Sequence, residues 1–432
     1  MNIPEALLAL LVENNFTVST DTRNPLTGSV YFALSGDRFD GNAYVAEALE
    51  QGAIAAVTSS QTNYDNLSKT NTIFLVDDVL ATLQAVAHEY RQTYTIPIIA
   101  IGGSNGKTTS KELLRDVLAK KYVVHATKEN FNNHIGVPLA ILAMKKDAEI
   151  GLFEIGANHP LEHTKLLHIL APTHVVVTNN GMDHLEGFGT PEGSRKANKE
   201  IYDWAAEQGA TVFVHSHFTD LMEDSAGTRR ITYPTIDLSL LSGTPVTLLL
   251  DSEIYETHLV GEYNKPNIEL AISLGHFFSV SPTDALAAIS AYEPLSKRSQ
   301  FVTKDDAYFI VDCYNANPSS MEAALKSFRT PNHPLKGLIL GDMLELGSYS
   351  LSEHTKVIQY VQEQSYNPVI YIGQHFNNAL RETQSIYNTD STSVYWFPDV
   401  FAAKQWFQSR NFKDYTFLLK GSRGIQIEKI LE

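Results

Sequence analysis

The sequence has one cysteine, Cys313, among its 432 residues. No intramolecular disulfide can form, which fits a reducing compartment. Basic residues are also short: 33 lysines and arginines face 49 acidic residues, for a formal net charge of -16. A general nucleic-acid binder needs a basic face, so this balance argues against that class. Anionic ligands must be held by local positive sites instead. No apolar run approaches the length of a membrane span. The opening "MNIPEALLALLVENN" is apolar, yet no basic stretch precedes it and no small-residue cleavage site follows. It reads as an amphipathic first helix rather than a signal peptide, and a cytoplasmic protein is expected. With 43% apolar and 19% charged residues, disorder is not indicated either.

What is present is α/β alternation over a chain too long for one ordinary core. Three units are expected, at residues 1–95, 96–297 and 298–432. The first carries strand-like "VYFALSG" and "GAIAAVTSS" around a helical "AYVAEALEQGA". Its turn-rich loops, "STDTRNPLTGS" and "SGDRFDGN", each set an Arg beside an Asp. Either alone reads as a solvated turn. The second unit alternates strands ("EIGLFEIGA", "THVVVTNN", "TVFVHS") with helices ("LEHTKLLHILAP", "RKANKEIYDWAAEQGA"), which predicts a mostly parallel sheet. "TPVTLLLDSEIYETHLVGEYN" predicts short antiparallel strands before a helix at "PNIELAISLGHFF". The third unit restarts the alternation at "YFIVDCYNANP".

The most informative stretch is "IPIIAIGGSNGKTTSKELLRDVLAKK". A buried strand runs into a glycine-rich knot and then an amphipathic helix. Gly103-Ser104-Asn105-Gly106-Lys107-Thr108-Thr109 aims backbone N–H groups and a helix N-terminus at one point, where phosphate binds. Lys107 can reach terminal phosphates and the Thr108 hydroxyl can ligate Mg²⁺. The spacing is shorter than the common phosphate-loop pattern, since Ile101 stands where that pattern has its first glycine.

Glu154 and His184 each fall at or just past a strand end, where ligand groups gather in parallel sheets. A carboxylate and an imidazole there suit a divalent metal bridging phosphate oxygens. "TKENFNNHIGVP" offers Asn132 and Asn133 either to a substrate or to Asx-turns. In the third unit "DCYNANP", "GDMLELG" and "LKGSRG" each follow a strand. There Asp312 can accept from a ribose hydroxyl, and Lys420 and Arg423 can bind a carboxylate; each alone is equally a surface ion pair.

Together "STDTR", "GGSNGKTTSKE", "TKENFNNHIGVPLAIL", "FEIGANHPLEHTKLL", "TNNGMDHLEGFG", "GEYNKPNIELA", "DCYNANPSSMEAAL", "LGDMLELGSYSLSEH" and "LKGSRG" resemble, in order and over nearly the whole chain, the Mur ligases. These are ATP-dependent amino-acid ligases of peptidoglycan synthesis. The resemblance implies a small UDP-binding α/β domain, a central P-loop ATPase sheet and a C-terminal Rossmann-like domain. It implies ATP and Mg²⁺, with UDP-N-acetylmuramoyl-tripeptide and D-alanyl-D-alanine joined through an acyl phosphate by a monomeric enzyme. Lys107 and Thr108 then hold phosphates and Mg²⁺, with Glu154 and His184 at the metals. Asn267 contacts adenine, and Arg298 and Asp312 contact the nucleotide from the third domain. Thr20, Asp21 and Arg23 fall on the uridine-diphosphate side, and Asn315 and Asn317 on the substrate side. Rivals are another amide ligase of the same architecture, a nucleotide-binding protein without catalysis, and a small-molecule kinase.

Two positions depart from the family pattern. Related ligases carry a lysine that CO₂ converts to a carbamate ligand for a second metal. "GSRKANKEIY" puts Asn198 there, between Lys196 and Lys199. Either a neighbour substitutes, the register shifts by one, or the second metal is held otherwise. Cys313 stands where Ser is expected.

Overall fold

The computed structural model describes residues 3–15, 17–37, 39–128, 130–294, 298–329, 335–385 and 393–432. Arg38 of the "SGDRFDGN" turn and Lys297, at the expected edge of the third unit, lie outside them. The N-terminal apolar run is the helix Ile3–Glu13, burying Leu7 and Leu11. A four-stranded parallel sheet follows, in the order Val18–Ser19, Val30–Phe32, Ala55–Thr58, Thr72–Leu75. The helix Val79–Gln92 leads out of it. Asp78 caps its N-terminus by accepting from Ala81 N.

The middle sheet has six parallel strands, ordered Arg229–Tyr233, Thr211–His215, His174–Val177, Ile98–Gly102, Ile150–Glu154, Val124–Ala126. Ile98–Gly102 comes first in the chain and lies between the two halves. Later strands add on either side of it, so its carboxyl end opens into the crevice where such sheets bind ligands. All five of its residues are buried. Ile98 and Ala100 pack into the core shared with the first sheet, and Ile99 and Ile101 into the core under the helix Lys265–Phe277. Burial on both faces explains the continuous apolar run. The predicted antiparallel segment is the three-stranded sheet Ser239–Gly243, Val246–Leu250, Glu253–Glu256.

The third sheet is ordered Gln300–Lys304, Ala307–Asp312, Thr416–Lys420, Lys336–Gly341, Val369–Ile372, Val394–Phe397, parallel apart from its first strand. The strands preceding "DCYNANP", "LKGSRG" and "GDMLELG" are therefore neighbours, and the three loops share one edge. Leu185 and Val260 of the middle unit pack into this unit's core. Sequence periodicity did not mark the helix Gly136–Leu142 or Pro282–Ser290. The first is short and buried on most sides, so it shows no polar stripe, and the second is short, with Thr283 and Asp284 exposed in its first turn. Among the described residues no helix is long and apolar enough to cross a membrane.

Candidate functional site

The loop 103–106 turns sharply because two of its residues have positive φ: Gly103 at +113° and Gly106 at +81°. A Cβ on Gly103 would lie 2.4 Å from Thr178 Oγ1, and one on Gly106 2.4 Å from Asn267 Oδ1. Glycine is required for space as well as for conformation. The neighbouring strand end clamps the loop: Ser104 N donates to Asn179 O at 3.0 Å and Asn105 N to Asn179 Oδ1 at 3.1 Å. Asn179 Nδ2 and Thr178 Oγ1 both donate to Asn105 O, at 2.9 and 2.7 Å. Lys107 opens the helix Lys107–Leu118, and its Nζ donates to Ser104 O at 3.2 Å, back across the loop. Thr109 is the next helical residue but one and is half-buried.

Below the loop lies a buried polar centre. Glu154, 2% exposed, accepts from Thr108 Oγ1 at 2.7 Å and Asn132 Nδ2 at 2.8 Å. Lys111 Nζ lies 3.8 Å from Glu154 Oε2 and donates to Thr127 O at 2.8 Å. Burial pushes the Lys111 ammonium down, Glu154 opposes this, and Arg298 of the third unit adds to it. The donor set of hydroxyl and carboxylate oxygens is hard, as Mg²⁺ requires. Asn133 is different: its Oδ1 accepts from Ile135 N and Gly136 N, so it shapes the turn into the next helix. Of the two readings of the asparagine cluster, Asn132 joins the site and Asn133 makes the Asx-turn.

Asn267 Oδ1 accepts from Ser110 Oγ at 3.0 Å, beside Gly106, which locks the Lys265–Phe277 helix to the loop. His184 is engaged outside the Glu154 cluster. Its Nδ1 lies 2.6 Å from Glu345 Oε2 in the "GDMLELG" loop. That contact holds the Glu345 carboxyl below its ordinary value. Among the described residues no three His, Cys, Asp or Glu side chains converge to hold a metal by themselves. Phosphate oxygens would have to complete a shell built on Thr108 and Glu154.

On the third unit's edge Lys420, 1% exposed, pairs with Asp312 at 2.6 Å. The pair is buried on the lysine side rather than a surface pair, and Lys420 spends its ammonium there instead of standing free for a substrate carboxylate. The Arg298 guanidinium lies 3.5 Å from the Tyr314 ring centroid and that of Arg423 5.2 Å from it. Two cations converge on one ring. Asn317 Nδ2 donates to Asn105 Oδ1 at 2.9 Å, joining this edge to the loop, while Asn315 Oδ1 accepts from the adjacent Ala316 N. In the first unit Arg23 makes a two-pronged bond to Asp21, and Thr20 is half-buried beside them. Cys313 is buried, its Sγ 3.4 Å from Leu419 O.

Three residues of this site escaped sequence reasoning: Lys111, Asn179 and Asp183. Asp183, buried, accepts from Ser104 Oγ at 2.7 Å and Ser194 Oγ at 2.6 Å. It precedes His184 in the same loop, and Asn179 follows the strand next to the cradle, so strand-end position was the available signal. Another buried group, His163, donates from Nδ1 to Ala197 O at 2.9 Å, leaving Nε2 without a partner among the described residues.

Fold and site define a three-unit α/β protein whose glycine loop and buried carboxylate open on a crevice edged by the third unit. The chain belongs to the Mur ligase family: the Mur ligase middle domain matches residues 101–275, and the Mur ligase, glutamate ligase domain matches residues 297–423. Over 426 residues it is 31% identical to UDP-N-acetylmuramoyl-tripeptide–D-alanyl-D-alanine ligase of Bacillus subtilis (strain 168), covering 96% of this chain and 92% of that one. A crystal structure of MurF from Acinetobacter baumannii aligns with a TM-score of 0.82 at 26% identity, over 96% of this chain and 92% of that one. MurF ligase from Thermotoga maritima, solved in complex with ADP, shares the fold with a TM-score of 0.78 at 23% identity, over 96% of each chain.

Proposed function

We propose that this protein is the ligase that adds D-alanyl-D-alanine to UDP-N-acetylmuramoyl-tripeptide, with ATP hydrolysed to ADP and phosphate. The observation that carries it is the 31% identity to a ligase of that name, along 96% of the chain. In the reaction the tripeptide's terminal carboxylate attacks the γ-phosphorus and ADP leaves. The amine of D-alanyl-D-alanine then attacks the acyl carbon, phosphate leaves, and the amine loses its proton. The first step brings two anions together and the second needs the acyl phosphate kept from water, so the chain's work is charge neutralisation, orientation and exclusion of water.

Gly103 and Gly106 present N–H groups to the phosphates, while Ser104 and Asn105, whose N–H groups are held by Asn179, fix the shape of the loop, with Thr109 at the start of the helix behind them. Lys107 leaves the loop carbonyls to meet the terminal phosphates. Thr108 and Glu154 would hold Mg²⁺, which when bound would supply Lewis-acid neutralisation of the transferring phosphoryl group. His184, which pairs with Glu345 in this structure, would be a further ligand for it. Asn267 contacts adenine. Arg298 and Asp312 reach the nucleotide from residues 298–432, with Lys420 orienting Asp312. Arg423, with Asn315 and Asn317 beside it, faces the dipeptide. Asn132 orients Glu154 toward the tripeptide end. Residues 1–95 hold the UDP moiety through Thr20, Asp21 and Arg23, and 96–297 form the ATP-binding domain. The enzyme works as a cytoplasmic monomer.

The test is phosphate release from ATP with UDP-N-acetylmuramoyl-tripeptide, with and without D-alanyl-D-alanine. Release that requires both substrates is expected. Release supported equally by glutamate or another single amino acid would overturn the assignment.

A further inference from the structure

Asn198 sits 5% exposed on the helix Pro191–Gln208. Its side-chain direction follows from two carboxylates. Asn180 Nδ2 donates to Asp220 Oδ2 at 2.8 Å, because a carboxylate accepts only, so Asn180 Oδ1 faces away from that acid. Asn198 Nδ2 therefore donates to Asn180 Oδ1, at 3.0 Å. At the other end Ser104 Oγ gives its hydrogen to Asp183 Oδ1, so it accepts from Asn198 Nδ2 at 3.3 Å. Both amide hydrogens are committed. They tie the phosphate loop, through Ser104, to an acidic cluster that Arg195 grips by Nε and Nη2 to Asp224 at 2.8 and 2.9 Å.

The helix phase also settles the lysine register. Ser194, Ala197, Asn198, Ile201, Tyr202 and Ala205 form the buried face. Lys196 is exposed, and Lys199 is half-exposed and paired with Asp203. Neither can bring an amine to the face Asn198 occupies. Lys111 offers no substitute: its ammonium faces Glu154 at 3.8 Å, where a carbamate would set two anions together.

We propose that Asn198 is a positioning residue for the phosphate loop, acting as a two-way hydrogen-bond donor, and that this chain assembles its phosphoryl-transfer site without a lysine carbamate. The family contrast rests on the ligase reading above; the hydrogen-bond bridge does not. CO₂ is then not required, and position 198 serves as a donor rather than as an anionic metal ligand.

The experiment has two arms. In the first, wild-type enzyme depleted of CO₂ is given ¹³C-bicarbonate and followed by ¹³C NMR and by turnover. No protein-bound carbamate resonance and no change in rate are expected. A carbamate resonance accompanied by faster turnover would overturn the proposal. In the second, Asn198→Asp and Asn198→Ala are compared with wild type for binding of a fluorescent ATP analogue with Mg²⁺, with urea midpoints to check folding. Both should bind about tenfold more weakly, because neither side chain can donate to Asn180 Oδ1. Asn198→Asp binding as tightly as wild type, or tighter, would show that an acceptor is wanted there and would also overturn it. Absence of amine-dependent turnover in the wild type would count against the ligase reading alone, since carbamate detection and nucleotide binding need no peptide substrate.

Discussion

The polar centre below the phosphate loop, where Lys111 lies 3.8 Å from Glu154, and the first unit's turn, where Arg23 pairs with Asp21, both place a basic residue beside an acidic one, yet in different surroundings. Glu154 is 2% exposed and takes hydrogens from Thr108 and Asn132. Arg23 is 88% exposed at its side chain and pairs with Asp21, two residues away. In the first case desolvation strengthens every polar contact and makes an unmet one costly. In the second, water screens the pair, and it holds little energy of its own. The buried centre is pre-organised for chemistry. The exposed turn can release Arg23 from Asp21 at little cost.

That contrast sets the order of expected effects. Lys107→Ala should lower the rate of phosphate release by about a hundredfold or more, with circular dichroism unchanged. Near-normal turnover would remove the loop from the mechanism. Acidification should come next. Burial pushes the His354 imidazole down to about 4 from 6.5; separately, its Nε2 accepts from Met343 N at 3.0 Å, which a protonated ring could not do. Its folded value lies below the unfolded one, so its share of stability is present above pH 6.5 and drains as pH falls toward 4. Linkage puts that share at roughly 3 kcal/mol, and Asp342, shifted upward by burial 3.7 Å away, offsets part of it. Urea unfolding at pH 7 and 4.5 measures it, and His354→Gln should flatten the slope; an unchanged slope would exclude His354 as its source.

Arg23→Ala should raise KM for the UDP substrate roughly fivefold, with kcat and the thermal midpoint unmoved. A fall in the midpoint would mean the turn is structural and would erase its contrast with the loop. The smallest effect is expected for Glu345→Gln, under about 1 kcal/mol in urea unfolding at pH 7, since the pair with His184 is half-exposed. With the Glu345 carboxyl held below its ordinary value of 4.5, the contact is present above that pH and lost below it, so Gln should remove only the sensitivity below pH 4.5 and leave that of His354 in place. Persistence of that sensitivity would assign it to another group.

Much of the site was legible because its residues are local in sequence. A strand, a glycine turn and a helix occupy one continuous stretch, and Thr108 and Lys107 are placed by that geometry alone. The strand-end rule brought Glu154 to the same crevice. It failed to rank Asp183 above His184, since adjacent loop residues differ in direction, and direction depends on the unit packed across from them. Lys420 looked available for a ligand because nothing in "LKGSRG" shows that its strand lies beside the one ending in Asp312.

The sequence by itself determined the α/β alternation, the phosphate loop and the family, since periodicity, glycine placement and motif order are properties of short stretches. Tertiary structure alone decided which side chains are spent on one another: His184 on Glu345, Lys420 on Asp312, Asn198 on Ser104 and Asn180. Those pairs join residues distant in the chain. Their energies depend on burial, distance and donor direction, which exist only once the sheets are assembled.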